Sequence, residues 1–205
     1  LFRNLDLQQG QKILVRGPTS SFGKAAINLA IDTGAIVTAT TRSEAKFAAL
    51  TELRVFESVL QTPNLSGCLH ERHNLEKVGV VLELISNSSF VNSLQLVRRD
   101  ARGFLAGWLK GLNPIKGPAG PDKSRGFNPP LQMESGVYLS LFGSFVFGTE
   151  WFPVSDVPLT STVQKVGVGK IDAKPWRTFS FNEIHDAHGA IVNREANGNM
   201  VVIVE

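Results

Sequence analysis

The stretch from Lys12 to Ala30, KILVRGPTSSFGKAAINLA, constrains this chain more than any other: a short apolar strand, a turn bounded by glycines, then an apolar helix. A nucleotide-binding α/β unit begins in this way. Gly17 opens the turn, and Gly23 lets the new helix pack closely on the sheet. The first N–H groups of that helix have no intrahelical acceptor and can face a pyrophosphate. The spacing is close to a Walker A loop, but five residues separate the two glycines instead of four, and Ala25 stands where a magnesium-binding hydroxyl belongs. GxGxxG fails as well, because Thr19 and Ser20 occupy the places where its second glycine is sought. Alone, the loop fits an ordinary strand-to-helix turn capped by Ser20 or Ser21 equally well.

The rest of the chain decides between these readings. Its 205 residues, 42% hydrophobic and 19% charged, suffice for one globular domain with an appendage. A net charge of +3, with basic residues scattered and no aromatic interleaving, argues against a nucleic-acid-binding surface. Cys68 is the sole cysteine, which excludes an intrachain disulfide and suits a reducing compartment. No apolar run reaches membrane-spanning length, and LFRNLDLQQG lacks the regions of a signal peptide, so a soluble, cytoplasmic protein is expected.

Strand and helix patterns then alternate. AIVTAT (35–40) predicts a second strand and SEAKFAALTEL a helix with Ser43 at its N-cap, followed by a short strand in FESVL and a polar, partly helical segment over 62–77. VGVVLELI (78–85) is a nearly continuous apolar run, as in a parallel strand covered on both faces. Residues 88–99 have helical spacing, and RGFLAGW, ending at Trp108, predicts a fifth strand. Residues 109–130 are too rich in Gly and Pro for an element interior and predict a long loop. VYLSLFGSFVFG (137–148) predicts a strand, with a helix over 155–168; the tail reads as a strand, a helix opened by Asn182, and a closing strand in GNMVVIVE. The fold class expected is α/β, a Rossmann-type doubly wound parallel sheet with a short C-terminal α/β return segment.

RGPTSSFGKAA, LELISNSSF, GFLAGW, SFVFG and FSFNEIHDAH with NGNMVVIVE together resemble the medium-chain dehydrogenase/reductase superfamily, and within it the zinc-independent quinone oxidoreductase branch. The resemblance implies a dinucleotide-binding Rossmann domain over 1–170 and a return segment over 171–205. The family's N-terminal GroES-like domain, on which that segment packs, is absent from this sequence, which is therefore expected to start at a domain junction. Two departures stand out: LTELRVFESVL lacks the Gly-Ala-Asp usual after this helix, and Asp100 replaces a glycine usual before the fifth strand.

Carried onto this chain, the family's pyrophosphate loop is Gly17, Pro18, Thr19, Ser20, Ser21, Phe22 and Gly23. At the end of the second strand a carboxylate selects NAD and cationic side chains accommodate the 2′-phosphate of NADP. Thr41, Arg42, Ser43 and Lys46, with no acid before Glu44, favour NADP(H), although a solvated helix start has the same composition. The resemblance places Leu84, Ile85, Ser86 and Asn87 beside adenine and ribose, Gly107 and Trp108 at the nicotinamide half, and Phe145, Val146 and Phe147 against the carboxamide. It also implies a homodimer through the 137–148 strand.

His70 with His73 and His185 with His188 have i,i+3 spacing, but no HExxH pattern or cysteine cluster completes a metal site, and none is expected. No general acid, base or nucleophile stands out, in keeping with direct hydride transfer to a quinone or activated alkene, where the protein's task is positioning. The alternative is a cofactor-binding or partner-binding module without turnover.

Overall fold

The computed structural model describes residues 2–62, 65–73, 77–108, 129–193 and 195–204. A single helical turn, α1 (Phe2–Leu5), leads into β1 (Lys12–Arg16), α2 (Ser21–Asp32), β2 (Ile36–Thr41), α3 (Phe47–Glu52), β3 (Glu57–Leu60), α4 (Leu65–His73), β4 (Val78–Glu83), α5 (Asn87–Leu94) and β5 (Val97–Leu105). After α6 (Pro129–Gln132) and β6 (Tyr138–Leu141), the chain runs through α7 (Leu159–Gly167), β7 (Arg177–Ser180), α8 (Ile184–Val192) and β8 (Met200–Ile203). Strands β1 to β6 form one sheet in the order β3-β2-β1-β4-β5-β6, and every pairing in it is parallel. The order reverses between β1 and β4, and in open α/β sheets ligands bind at such a switch point, outside the carboxyl ends of the strands.

Side-chain alternation splits the core into two layers. Ile13, Val15, Val37, Ala39, Val80 and Leu82 face α2, where they meet Ala26, Ile27 and Ala30. Leu14, Val59, Val78 and Val81 face the other way, onto Leu65, Leu69 and Leu96. All six residues of β4 are buried, which explains its nearly continuous apolar run.

Several expected boundaries move. The helix predicted over 88–99 stops at Leu94, because Val97 pairs with Val78 and packs into the second layer, so Arg98 and Arg99 already belong to β5, a nine-residue strand. Asp100 lies inside that strand with φ +62, where the β4 pairing register shifts, a conformation that glycine adopts more readily. The strand predicted over 137–148 ends at Leu141. Phe142 turns inward, its ring 6.2 Å from Phe104 and 5.5 Å from Phe152, and Phe145 covers Gly143, where any Cβ would lie 2.1 Å from the ring. Ser144–Val146 is therefore a 3₁₀ turn.

Ser43 makes no side-chain cap; its own N–H donates to Thr41 Oγ1 at 3.3 Å. The last helix is opened by Ser180 rather than Asn182. The Ser180 N–H and hydroxyl both donate to Glu183 Oε2, at 2.8 and 2.9 Å, in a Ser-x-x-Glu capping box. The loop expected over 109–130 falls almost wholly outside the described residues.

The tail is tied to α2. Asn28 donates to the carbonyl of Asp172 and accepts its N–H, both at 3.1 Å, while Lys165 pairs with Asp32 and Arg54 donates to the carbonyl of Lys170 at 3.0 Å. Strands β7 and β8 pair parallel in a separate two-stranded sheet.

A candidate nucleotide-binding cleft

The β1–α2 turn is shaped by its two glycines. Gly17 has φ +84, and a Cβ on Gly23 would lie 2.3 Å from the carbonyl oxygen of Gly17 and 2.7 Å from Pro18. Ser20 caps the helix: its hydroxyl accepts the Gly23 N–H at 3.0 Å and donates to the Gly17 carbonyl at 2.9 Å. The N–H groups of Ser21 and Phe22, in the first helical turn, have no intrahelical acceptor. Lys24 does not reach toward them. Its ammonium donates to the carbonyl of Asn197, which fastens the tail and sets this loop apart from a Walker A lysine.

Above the carboxyl ends of β1, β2, β3 and β4 lies a cleft of about 620 Å³. Of the residues expected to hold a nucleotide, it brings together Gly17, Pro18, Thr19, Ser20, Thr41, Arg42, Ser43, Lys46 and Ile85. Arg42 and Ser43 are exposed and Lys46 half-buried, and none of the described residues lining the cleft is acidic. Ser21, Phe22 and Gly23 continue from its edge into α2. Leu84 and Ser86 flank Ile85 but are buried, Leu84 as part of the core beneath the cleft, and Asn87 is the first residue of α5.

Gly107 explains itself by contact, since a Cβ there would lie 1.9 Å from the carbonyl oxygen of Leu84. That close approach brings the end of β5, and Trp108 after it, beside the β4 loop. Phe145, Val146 and Phe147 are on the 3₁₀ turn beyond β6 and do not line the cleft; Phe145 is 78% exposed.

Thr40, which the sequence places with Thr41 at the end of the second strand, also lines the cleft, and Gln61 escaped the sequence reading. The Thr40 hydroxyl is buried without a hydrogen-bond partner among the described residues. An unsatisfied hydroxyl, free helix amides, the glycine turn and two cations suit the phosphates and ribose of a dinucleotide. A more hidden feature lies underneath. Arg16 and Glu83, at the last positions of β1 and β4, pair in register and are 2% and 0% exposed. Burial pushes the Glu83 carboxyl above its ordinary range and lowers the Arg16 guanidinium, each partly offset by the other's charge.

Comparison with solved structures matches this arrangement over its whole length. CurK enoyl reductase superposes with TM-score 0.72 at 21% identity, over 100% of this chain and 58% of the other. A quinone oxidoreductase of Pseudomonas syringae pv. Tomato DC3000 gives 0.71 at 16%, over 96% and 57%. An NAD-dependent alcohol dehydrogenase gives 0.73 at 19%, over 100% and 54%. The shared fold is Rossmann-like α/β, a six-stranded parallel sheet flanked by helices. This chain spans little more than half the length of those structures. No family model and no curated protein matches the sequence.

Among the described residues no group of His, Cys, Asp or Glu is arranged to hold a metal ion, and no helix is long and apolar enough to cross a membrane. His185 and His188 are exposed on α8, and the side chain of His73 lies outside the described residues.

Proposed function

We propose that this chain is the NADP(H)-binding portion of a cytoplasmic oxidoreductase that transfers hydride from NADPH to a quinone or activated alkene. The observation that carries the reading is the joining, in one cleft with no acid among its described lining residues, of the glycine turn and α2 N-terminus with Arg42 and Lys46. A carboxylate at that place accepts the ribose 2′-hydroxyl of NAD; cations and hydroxyls suit the extra phosphate of NADP. The bound nicotinamide supplies the hydride. The protein's share is to seat the pyrophosphate on the amides of Ser21 and Phe22, select the 2′-phosphate through Arg42 and Lys46, and bring the nicotinamide half toward Gly107 and Trp108. The fold neighbours support this reading with an enoyl reductase and a quinone oxidoreductase among them.

Titration of the purified chain with NADPH and NADH, by fluorescence or calorimetry, tests it. NADPH is expected to bind more tightly. Arg42→Glu should weaken NADPH by about 10- to 100-fold, the range of a charge-assisted hydrogen bond, with little change for NADH. Equal affinities, or a preference for NADH, would overturn the cofactor choice.

A second reading, a module that binds the nucleotide without turning it over, is favoured by this chain spanning little more than half the length of the structures it matches. Adding a small quinone to the NADPH complex and following absorbance of the reduced cofactor separates the two. We also propose a homodimer through the β6 edge, where Tyr138, Leu139 and Leu141 are exposed.

A further inference from the structure

A parallel strand covered on both faces has no ordinary use for a charge, yet Arg16 and Glu83 sit side by side under α5. What they hold explains them. One Glu83 carboxylate oxygen accepts the Ile85 N–H at 2.9 Å; the other accepts the Ser93 hydroxyl at 3.1 Å and faces Arg16 Nε at 3.4 Å. Arg16 Nη1 donates to the Ser89 carbonyl at 2.8 Å and to Ser93 Oγ at 2.9 Å, both on α5. The pair thus clamps three things together: the end of β4, the turn that follows it, and the first turns of α5.

That turn lies between the phosphate loop and the end of β5. Its Ile85 lines the cleft, Leu84 would touch a Cβ on Gly17 at 3.1 Å, and the Leu84 carbonyl leaves no room for a side chain at Gly107. A shift of the turn by an ångström would close on the phosphate loop on one side or part from the β5 end on the other. We propose that Arg16 and Glu83 are positioning residues for the nucleotide, holding the 84–86 turn at the depth the dinucleotide needs. The inference rests on the nucleotide reading above. It predicts an effect common to NADPH and NADH, because the turn follows β4 whereas Arg42 follows β2, on the far side of β1.

The experiment pairs amide hydrogen exchange at Ile85 in the nucleotide-free protein with Kd for both nucleotides. Arg16→Met with Glu83→Leu removes both charges and keeps apolar volume, a replacement that buried pairs often tolerate. Folding is checked by thermal unfolding. Wild type is expected to protect Ile85. The double variant should lose that protection and weaken NADPH and NADH about tenfold each, the scale of one lost positioning hydrogen bond. Glu83→Gln keeps an acceptor for Ile85 and should retain protection and affinity. Ser93→Ala, which removes the hydroxyl both charges share, is the milder test should the double variant not fold, with about a threefold loss for both nucleotides.

Unchanged affinity in Ser93→Ala or in a folded double variant overturns the proposal while leaving the nucleotide reading intact. So does a loss confined to NADPH. Wild type that binds neither nucleotide overturns the nucleotide reading, and the proposed role with it.

Discussion

At the scale of single residues, Gly23 carries the clearest consequence. Its missing side chain is filled by backbone of Gly17 and Pro18, atoms that cannot swing aside. Gly23→Ala should therefore cost about 1–3 kcal/mol, the usual penalty of overpacking, and displace the phosphate turn. Denaturant midpoints and NADPH affinity both measure it, and a variant unchanged in both would show that the turn is not as tight as described. Glu83 gives a pH signature. Burial is the largest influence and raises its carboxyl above the ordinary 4.5, against Arg16, the Ile85 N–H and the serine hydroxyls, which pull it down. The folded chain then keeps this proton to higher pH than the unfolded chain. Its contribution to stability is complete below about 4.5 and is lost as pH rises through the folded value. Relative to Glu83→Gln, which does not titrate, wild type should lose stability across that window; a difference that grows with pH would mean that Arg16, not burial, governs the group. The glycine spacing and Arg42 were legible in the sequence because each carries local chemistry. Arg16 and Glu83 were not singled out, although a lone acid in VGVVLELI and a base closing KILVR occupy matching ends of neighbouring strands. Only the register of the sheet shows that they meet.

At the scale of elements, β1, β2 and β4 could be placed to within about two residues at either end, because parallel strands covered on both faces have a compositional signature that needs no partner to be read. The departures have local causes. Helical spacing in residues 88–99 misleads because β5 begins with exposed Arg98, Arg99 and Asp100, which carry no strand alternation. Phe145 to Phe147 have strand composition, but the inward packing of Phe142 turns the chain before them. Asp100 shows a sequence departure acquiring a structural meaning. Its φ of +62 costs an L-residue about 1–2 kcal/mol, while glycine adds about 0.5–1 kcal/mol of lost chain entropy. Its ion pair with Arg98 is exposed and contributes little. Asp100→Gly should thus stabilise the chain by up to about 1 kcal/mol. Thermal unfolding checks the sign, and a clear destabilisation would show that the aspartate makes contacts that outweigh its backbone strain.

At the scale of the molecule, the sheet ends on an edge that a soluble monomer would be expected to blunt. Strand β6 pairs only with β5 among the described strands, and its Leu141 is 60% exposed, with Tyr138 and Leu139 also open. Flat apolar edges are usually charged, bulged or covered. Here a second copy running antiparallel would continue the sheet and bury those side chains, which is the ground for the proposed homodimer. The sequence resemblance pointed to the same edge, though it extended the strand to Gly148; the shorter strand concentrates the prediction on Tyr138 to Leu141. Wild type should sediment as a dimer at micromolar concentration. Leu141→Lys places a charge on the edge and should shift it to monomer with the fold retained. Because β5 separates β6 from the strands that form the cleft, the monomeric variant should bind NADPH as wild type does. A wild type that is monomeric at tens of micromolar would leave the edge without a partner and refute the dimer. Loss of NADPH affinity on dissociation would instead mean that the β6 edge and the cleft are coupled through β5, against the separation that the strand order implies.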